Sequence, residues 1–453
     1  MIDIVACLHC TCPYLTMTTV RRLSRIISAV LAMTGRVTML GMSRWTGKGG
    51  SYRTVQRFFY TAIPWGIVFW AFFRHHLFDS QDRYLLGGDE CVVTKAGKKT
   101  YGLDRFFSSL YGKPVPGLSF FTLSLISTQK RRSYPMRVEQ MMRSEAEKTA
   151  TKDKKASHKA AKHRTKPQKA KPGRPKGSKN RDKTIVVLSS ELQRIQAMTL
   201  NLLKLIGTAV PLSHLVLDGH FGNNPALYMV SSCGLHLTSK LRQDAALYFP
   251  YEGPYSGRGP RRKYGSKLDY HNIPWRYSKQ SSVQDNIQTD IYQAQMLHKE
   301  FAQPLNIVII VKTNQKSHKC AHAVLFSSDL DLDSDQLIDD YSLRFQIEFN
   351  FRDAKQYWGL EDFMNVQQRA VYNAANLSLF MVNVAHAILQ PFRQINPHVG
   401  ILDLKAYWRG HKYVAEVLKL LPEISEPIIM KQIADQISGI GSIHGSIPAF
   451  NSS

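Results

Sequence analysis

YSLRFQIEFNFRDAK, the stretch Tyr341–Lys355, is the most informative part of this chain. Drawn on a straight α-helix at 100° per residue, its polar side chains fall inside one narrow arc, at about 0°, 300°, 340° and 320° for Tyr341, Arg344, Glu348 and Lys355. An apolar stripe runs beside that arc and contains Leu343, Ile347, Phe351, Ala354 and Trp358. The pattern predicts one continuous helix that packs its apolar side on a core and presents its polar side to an anionic partner.

The length of the polar arc favours an extended anion over a small ligand. At 1.5 Å per residue, Tyr341 and Lys355 lie roughly 21 Å apart, which suits a polyphosphate backbone. Arg352, at about 20° on the same plot, adds a further positive charge. The alternative is a solvent-facing helix in which Arg344 and Glu348 form an ordinary i,i+4 ion pair.

The spacing Y-x2-R-x3-E-x6-K is similar to the signature of the IS4-type insertion-sequence transposases. The resemblance covers about Tyr84 to His386, and the helix motif is its most specific part. It implies an α/β fold with a ribonuclease-H-like core, a mixed sheet flanked by helices, a β-rich insertion and an N-terminal helical domain. It also implies that Glu348 is the third acid of a catalytic Asp-Asp-Glu triad, and that the other motif residues hold the DNA end: Tyr341, Arg344 and Lys355.

Two aspartates can complete that triad. Asp89 lies in YLLGGDECVV, and Asp218 follows three consecutive apolar residues in HLVLDG. An Asp in or at the end of a buried strand is costly unless it is paired or binds a metal. Side chains alternate along a strand, so only one of Asp89 and Glu90 can face the site, and the resemblance favours Asp89. The family often has a hydroxyl residue where this chain has Cys91, and Asp218 could simply cap the turn at Gly219.

The chemistry implied by the resemblance explains why three carboxylates are needed. Two divalent ions about 3.5–4 Å apart activate the nucleophile and stabilise the leaving oxygen of a phosphodiester. Hard oxygen ligands suit Mg²⁺, with Mn²⁺ as the other candidate. In this scheme Asp89 bridges both ions, while Asp218 and Glu348 each hold one. The basic side chains of the same helix would fix flanking phosphates: Arg344, Arg352 and Lys355.

Composition points to an acidic polymer as the partner. The chain has 453 residues, 43% of them hydrophobic, which is enough for two or three domains with real cores. Its net charge of +26 and pI near 9.8 indicate nucleic acid, although a basic tail on an ordinary protein would give a similar total. Residues 130–183 hold 20 Lys or Arg and 5 Asp or Glu, and therefore +15 of that charge.

The basic segment, residues 136–184, has no apolar periodicity and is predicted to be a disordered linker. Within it, KPGRPKGSK at Lys171–Lys179 resembles an AT-hook. In such a motif the extended Gly-Arg-Pro core lies in an A·T minor groove, and Arg174 would be the inserted side chain. The alternative is a generic charged segment.

The cysteines and the apolar runs point to a reducing compartment. Six scattered cysteines are too few for a disulfide framework, and the cluster Cys7, Cys10 and Cys12 lacks a second ligand pair at zinc-finger spacing. The N-terminus does not resemble a signal peptide, and the apolar run Ile63–Phe73 is too short to span a bilayer. We therefore expect a cytoplasmic, nucleoid-associated protein.

Apolar periodicity predicts helices over residues 17–78, with a break at Gly47–Gly50 and Ser51 as the N-cap of a helix through Tyr60. This region could be a helix-turn-helix unit or a plain helical bundle. Strands are predicted at Tyr84–Val93, Phe120–Ser127, Ile185–Leu188 and His214–Leu217, with a helix capped by Ser190.

The resulting domain map has seven parts. It assigns 1–78 to an N-terminal helical DNA-binding domain, 79–135, 185–228 and 336–393 to the core, 136–184 to the basic linker, 229–335 to the β-rich insertion and 394–453 to a C-terminal helical region. In the insertion, Trp275 could stack on an extruded base, although most Trp residues are core residues.

The predicted function is cleavage of DNA at insertion-sequence ends and strand transfer into target DNA, by a protein that forms a homodimer in the synaptic complex. One alternative is a non-catalytic DNA-binding regulator derived from a transposase, which loss of a triad acid would favour. The other is a metal-dependent nuclease, which would not need the phosphate-tracking helix. Short inverted repeats in the DNA that flanks the coding region would favour the transposase.

Overall fold

The computed structural model describes residues 3–47, 49–108, 111–143, 149, 182–255, 257, 259–419, 426–438 and 443–444. The chain divides into two compact units. Unit 1 comprises Met1–Gln140, Met198–Leu212 and Ser342–Ser453, and unit 2 comprises Met141–Ala197 and Ser213–Tyr341. Among the helices of the described residues, none combines the length and the apolarity that a membrane crossing requires.

The described helices, in chain order, are α1 Ile4–Cys7, α2 Met17–Ala32, α3 Met39–Trp45, α4 Tyr52–Tyr60, α5 Trp65–His76, α6 Ser190–Ile206, α7 Asn224–Ser232, α8 Ser334–Leu343, α9 Gln346–Gln356, α10 Gln368–Ile395, α11 Ile401–Leu418 and α12 Pro427–Ser438. The described strands are β1 Tyr84–Thr94, β2 Asp104–Ser108, β3 Lys113–Ser127, β4 Arg132–Met141, β5 His214–Val216, β6 His236–Leu241, β7 Leu247–Pro250, β8 Tyr264–Lys267, β9 Ser278–Gln284, β10 Ile287–His298, β11 Leu305–Asn314 and β12 Cys320–Ser327.

The N-terminal part of unit 1 is helical, as predicted from its periodicity. Ser51 caps α4 with its side chain, which accepts a hydrogen bond from the Thr54 amide at 3.4 Å, so the predicted N-cap is confirmed. Val55 and Phe59 of α4 are buried, whereas Arg53 is exposed. The apolar run at Ile63–Phe73 forms most of the buried helix α5, since its apolar residues surround the whole helix.

The sheet of unit 1 is antiparallel, with β3 at its centre. β1 pairs with β3 from Tyr84 opposite Ser127 to Thr94 opposite Gly117, and β2 and β4 also pair with β3. Two buried amides tie helices to this unit. Asn350 of α9 donates to Ser133 Oγ at 2.8 Å, and Asn383 of α10 donates to the Pro135 carbonyl at 2.8 Å.

Gly87 lets α9 approach β1 closely. A Cβ at this position would lie 2.5 Å from Ile126 Cδ1 and 2.9 Å from Ile347 Cδ1, so a larger residue would force the helix away from the strand. Since residues two apart share a face of a strand, Asp89 lies on the same face as Gly87, the face that α9 covers. The glycine therefore brings α9 within reach of Asp89.

Unit 2 is mostly β-structure. β5 pairs in parallel with β6, and β6, β12, β11 and β10 follow as antiparallel neighbours, with β7 and β9 both on β10 and β8 on β7. Its core includes a cluster of Val308, Leu325, Leu332 and Leu337.

Four local predictions were wrong. The first is the N-cap at Ser190, which is the first residue of α6, whereas Ser189 Oγ accepts the Leu192 amide at 3.3 Å. The periodicity expected to disappear at Met136 continues through β4, where Met136 and Val138 are buried, so the basic segment starts later than residue 136. The segment Ile185–Leu188 is not a strand, and Ile185 is 68% exposed.

The fourth wrong prediction is the single continuous helix, because residues 344–345 separate α8 from α9. The amides of Phe345, Ile347 and Glu348 donate to carbonyls three residues earlier, at 3.1, 2.9 and 3.1 Å. Such i→i+3 bonds tighten the chain at this point. The straight-helix angles and the separation of Tyr341 from Lys355 therefore do not apply across the break.

Candidate active site

Asp89 is presented by β1 on the face that α9 covers. Its Oδ1 accepts the Glu90 amide at 2.8 Å, and its side chain is 16% exposed. Glu90 points to the opposite face and accepts a hydrogen bond from Ser119 Oγ. The alternation of a strand therefore directs Asp89, and not Glu90, toward α9.

Arg344 joins Asp89 to Glu348. Its Nη1 lies 2.6 Å from Asp89 Oδ2, and its Nη2 lies 3.3 Å from Glu348 Oε1. The Arg344 side chain is only 10% exposed, whereas that of Glu348 is 46% exposed. A single buried guanidinium in the break between α8 and α9 thus holds two carboxylates that are 259 positions apart in the sequence.

This arrangement differs from the surface ion pair that was the alternative for the motif. An exposed i,i+4 pair contributes about 0.3–0.5 kcal/mol, whereas breaking a buried pair costs about 3–5 kcal/mol because an unpaired charge is left behind. The Arg344–Asp89 contact belongs to the second class because both side chains are largely buried. Arg344 therefore fixes the position of Asp89 relative to Glu348.

The carboxylate pair suits a hard divalent cation in charge and in donor type. Asp89 and Glu348 offer oxygen ligands, which Mg²⁺ and Mn²⁺ prefer, and both already bind a positive group. Within the described ranges, no three His, Cys, Asp or Glu side chains form a group that could hold a metal ion. Two of the predicted ligands thus converge within unit 1, and the third lies in unit 2.

Asp218 stands at the end of β5 in unit 2 and caps a short 3₁₀ turn, Gly219–Phe221. Its Oδ1 accepts the His220 amide at 3.1 Å, and its carbonyl accepts from Ser239 Oγ at 2.7 Å. The capping geometry that was considered for Asp218 is therefore present. Capping engages Oδ1, while a carboxylate offers about four acceptor sites in all, so the cap does not exclude a ligand role.

The other predicted DNA contacts have different surroundings. Tyr341, in unit 2, packs against the Val308–Leu325–Leu332–Leu337 cluster, so part of its ring belongs to that core. Arg352 pairs with Asp353 at 2.9 Å and remains 58% exposed. Arg174 lies outside the described residues. Trp275 is 74% exposed, so it is not a core residue of unit 2.

Lys355 connects α9 with β1. Its Nζ donates to the Val92 carbonyl at 3.0 Å and lies 3.2 Å from Glu361 Oε1. Burial alone would lower the pKa of Lys355, but the Cys91 thiol and the Glu361 carboxylate outweigh it and raise this pKa. Lys355 therefore stays charged and fixes α9 three residues beyond Asp89 on the strand.

We expect Lys355→Met to lower the free energy of unfolding by about 1–3 kcal/mol, because the Val92 carbonyl and Glu361 lose their donor. Urea unfolding would measure this change, with Lys99→Met in the exposed loop after β1 as the control for charge removal. The salt dependence of DNA binding tests whether Lys355 also contacts a DNA phosphate, the role that the motif predicts for it. Loss of a phosphate contact flattens the slope of log K on log salt by about 0.9, and an unchanged slope would place Lys355 off the DNA.

Lys95, which no sequence motif marks, supports the same region. Its Nζ donates to the carbonyls of Glu361 and Phe363 at 2.9 and 2.8 Å and lies 3.6 Å from the centre of the Phe363 ring. Burial lowers the pKa of Lys95 to about 8. No sequence signal separates it from the many surface lysines of the chain, because its role depends on contacts 266 and 268 residues away.

The chain can also be compared with known proteins. The model of the family described as DDE superfamily endonuclease matches residues 10–304. This span contains Asp89 and Asp218 and ends before Glu348, so the match is independent of the Tyr341–Lys355 motif. The curated proteins include no match. Because the matched residues make up well over half of the chain, the protein belongs to the DDE superfamily endonucleases.

Proposed function

We propose that this DDE superfamily endonuclease is an IS4-type transposase, which cleaves DNA at insertion-sequence ends and transfers the cut strands into target DNA. The observation that carries the proposal is the convergence of Asp89 and Glu348 on the buried Arg344. These three residues sit at the positions that the motif and the first apolar strand single out. The family match is a second and independent support.

In this proposal Asp89, Asp218 and Glu348 hold two divalent ions, Mg²⁺ or Mn²⁺. The bound ions would supply Lewis-acid stabilisation of the attacked phosphoryl group and a nucleophile at neutral pH. Asp89 is held in place by the Glu90 amide and Arg344, and Glu348 by the first turn of α9. The scissile phosphate would bind beside Glu348, the more exposed member of the pair, where Arg344 could donate two parallel hydrogen bonds once the ions take its place at the carboxylates.

The proposed DNA contacts outside the acidic pair are Tyr341, Arg344, Arg352, Lys355 and, in the basic segment, Arg174. Arg352 is the most exposed of those with a described ion pair, since 58% of its side chain is exposed, and its guanidinium lies 4.9 Å from the Phe349 ring. We further propose a homodimer on paired DNA ends and association with the nucleoid. The predicted domain map, with 1–78 as the end-binding domain and 229–335 as the insertion, belongs to this proposal.

The test is a cleavage assay with the full chain and a DNA fragment that carries its coding region with both flanks. We expect Mg²⁺-dependent breaks at two inverted repeats and none in EDTA. Breaks spread evenly along the fragment would instead indicate a plain nuclease. End binding without breaks would indicate a regulator derived from a transposase.

The basic segment gives a separate prediction, since its net charge should supply affinity and not chemistry. Deletion of residues 144–181 spares β4 and the hydrogen bond from Arg194 to the Met142 carbonyl at 2.6 Å. We expect the deletion variant to fold, to cleave at saturating DNA, and to bind DNA more weakly at physiological salt.

Within this segment, Arg174→Ala should reduce the preference for A·T-rich DNA, with Arg164→Ala as the matched loss of charge outside the Gly-Arg-Pro core. Competition binding with A·T-rich and G·C-rich duplexes measures the preference. Equal effects of the two substitutions would exclude the AT-hook. Unfolding of the deletion variant would show that the segment belongs to a core.

A further inference from the structure

Two hydroxyl groups on β3 are buried in an unusual way. Thr122 and Ser124 are both 0% exposed. Within the part of the chain that the structure describes, neither Thr122 Oγ1 nor Ser124 Oγ has a hydrogen-bond partner. A buried hydroxyl without a partner is destabilising, and folded proteins rarely keep one. A residue that lowers stability in this way is expected mainly at a functional site.

The strand register separates the two hydroxyls. Thr122 stands directly opposite Asp89, and Ser124 stands opposite Gly87. Residues that face each other across antiparallel strands have Cβ atoms about 4.5–5.5 Å apart and share one face of the sheet. Thr122 is therefore the cross-strand neighbour of the candidate catalytic acid. Ser124 faces Gly87 instead, where Ile126 and Ile347 fill the space beside the glycine.

The Asp89 carboxylate has a donor on each of its oxygens. One of its oxygens accepts the Glu90 amide at 2.8 Å and the other accepts Arg344 at 2.6 Å, whereas a carboxylate offers about four acceptor sites. If a divalent cation takes the place of Arg344 at Asp89, the carboxylate loses its strongest donor. A threonine side chain can turn between staggered positions about its Cα–Cβ bond, and the turn re-aims its hydroxyl without moving the strand.

We propose that Thr122 is a positioning residue for Asp89, whose hydroxyl donates to the Asp89 carboxylate when that carboxylate holds a divalent cation. The inference rests on the proposed function, since it assigns Asp89 as a metal ligand. Donors that orient a ligating carboxylate typically change metal affinity by 10- to 100-fold when they are removed. Thr122 would therefore act on cation affinity and not on the reacting phosphate.

The experiment measures Mn²⁺ binding to the full chain without DNA, by electron paramagnetic resonance of free Mn²⁺, beside urea unfolding in EDTA. Thr122→Val keeps the shape and removes the hydroxyl, so we expect Mn²⁺ affinity to fall about 10-fold while stability does not fall. Thr122→Ser should restore the affinity. Ser124→Ala removes an equally buried hydroxyl from the same face and should leave the affinity unchanged.

The outcomes separate this inference from the proposed function. If Thr122→Val binds Mn²⁺ as tightly as the wild type, or if Thr122→Ser fails to restore the affinity, the inference is overturned and the proposed function stands. If Ser124→Ala weakens binding as much as Thr122→Val, the effect reports packing and the inference is also overturned. If the wild type binds no Mn²⁺, the proposed metal site and this inference fail together.

Discussion

Asp218→Asn is expected to abolish Mg²⁺-dependent cleavage of an element end while leaving the free energy of unfolding unchanged. Asn is as good an N-cap as Asp, so the turn Gly219–Phe221 keeps the hydrogen bond that the His220 amide now donates to Asp218. Only the charge is removed. The substitution therefore separates the capping role of Asp218 from the ligand role that we propose for it.

Glu348→Gln is also expected to abolish cleavage without lowering the free energy of unfolding. The Glu348 side chain is partly exposed, so the site tolerates the loss of its charge. Each variant should lose about 10³-fold or more in cleavage rate, and the double variant should lose little beyond that, because members of one catalytic unit are not additive. End binding in a gel-shift assay should persist in both. The rates would be measured under single turnover with saturating protein.

Near-normal cleavage by Asp218→Asn would reduce this residue to a cap and remove it from the triad. Loss of end binding together with cleavage would mean that the acid shapes the DNA site. A fall in urea stability would make the variant uninformative about chemistry, and for that case Asp218→Ser offers a second residue that caps well without a charge.

The sequence predicted the strand that carries Asp89 because burial leaves a local trace. Most of the residues in Tyr84–Val93 are apolar. The observed strand, Tyr84–Thr94, is one residue longer than the predicted one. Strand alternation allowed only one of Asp89 and Glu90 to face the site, and the family resemblance favoured Asp89. The partner of Asp89 did not follow from the sequence, because Arg344 lies 255 residues away and no local pattern encodes that contact.

The break between α8 and α9 shows a limit of periodicity. Apolar residues continue at helical spacing through Leu343 and Ile347, which are both buried, although the i→i+3 bonds of the break lie between them. The pattern therefore looks like one helix. The break puts Arg344 beside Asp89 and not on a solvent-facing arc.

Two other segments differ from their predicted structure, and the causes are opposite. Met136–Glu139 alternates buried and partly exposed residues as a strand should, but the surrounding charges concealed that signal. Ile185–Leu188 is apolar and β-branched, yet Val187 is 78% exposed, because no strand within the described sheets pairs with it. The composition of a segment shows whether it could form a strand, and the presence of a neighbouring strand to pair with decides whether it does.

Arg344→Ala should produce the largest loss of stability among the substitutions considered. It leaves Asp89 largely buried without its guanidinium, a change that costs about 3–5 kcal/mol in comparable buried pairs. It also removes a proposed phosphate contact, so end binding should weaken and its salt slope should flatten by about 0.9. Urea unfolding in EDTA and binding at several salt concentrations measure the two effects.

Divalent cations provide the sharper test, because they compete with Arg344 for the same oxygens. In Arg344→Ala the carboxylates of Asp89 and Glu348 are released, so Mg²⁺ or Ca²⁺ should restore stability, by about 2.7 kcal/mol when the ion is present at 100 times its dissociation constant. The wild type should gain less, since part of the binding energy is used to displace the guanidinium. Arg242→Ala is the control for the loss of an arginine charge, since both side chains of its pair with Asp244 are exposed, so stability and the cation effect should stay near wild type. Equal stabilisation of Arg344→Ala and the wild type by the cation would show that Arg344 and the ion do not share a site, and the assignment of Asp89 and Glu348 as metal ligands would then be wrong.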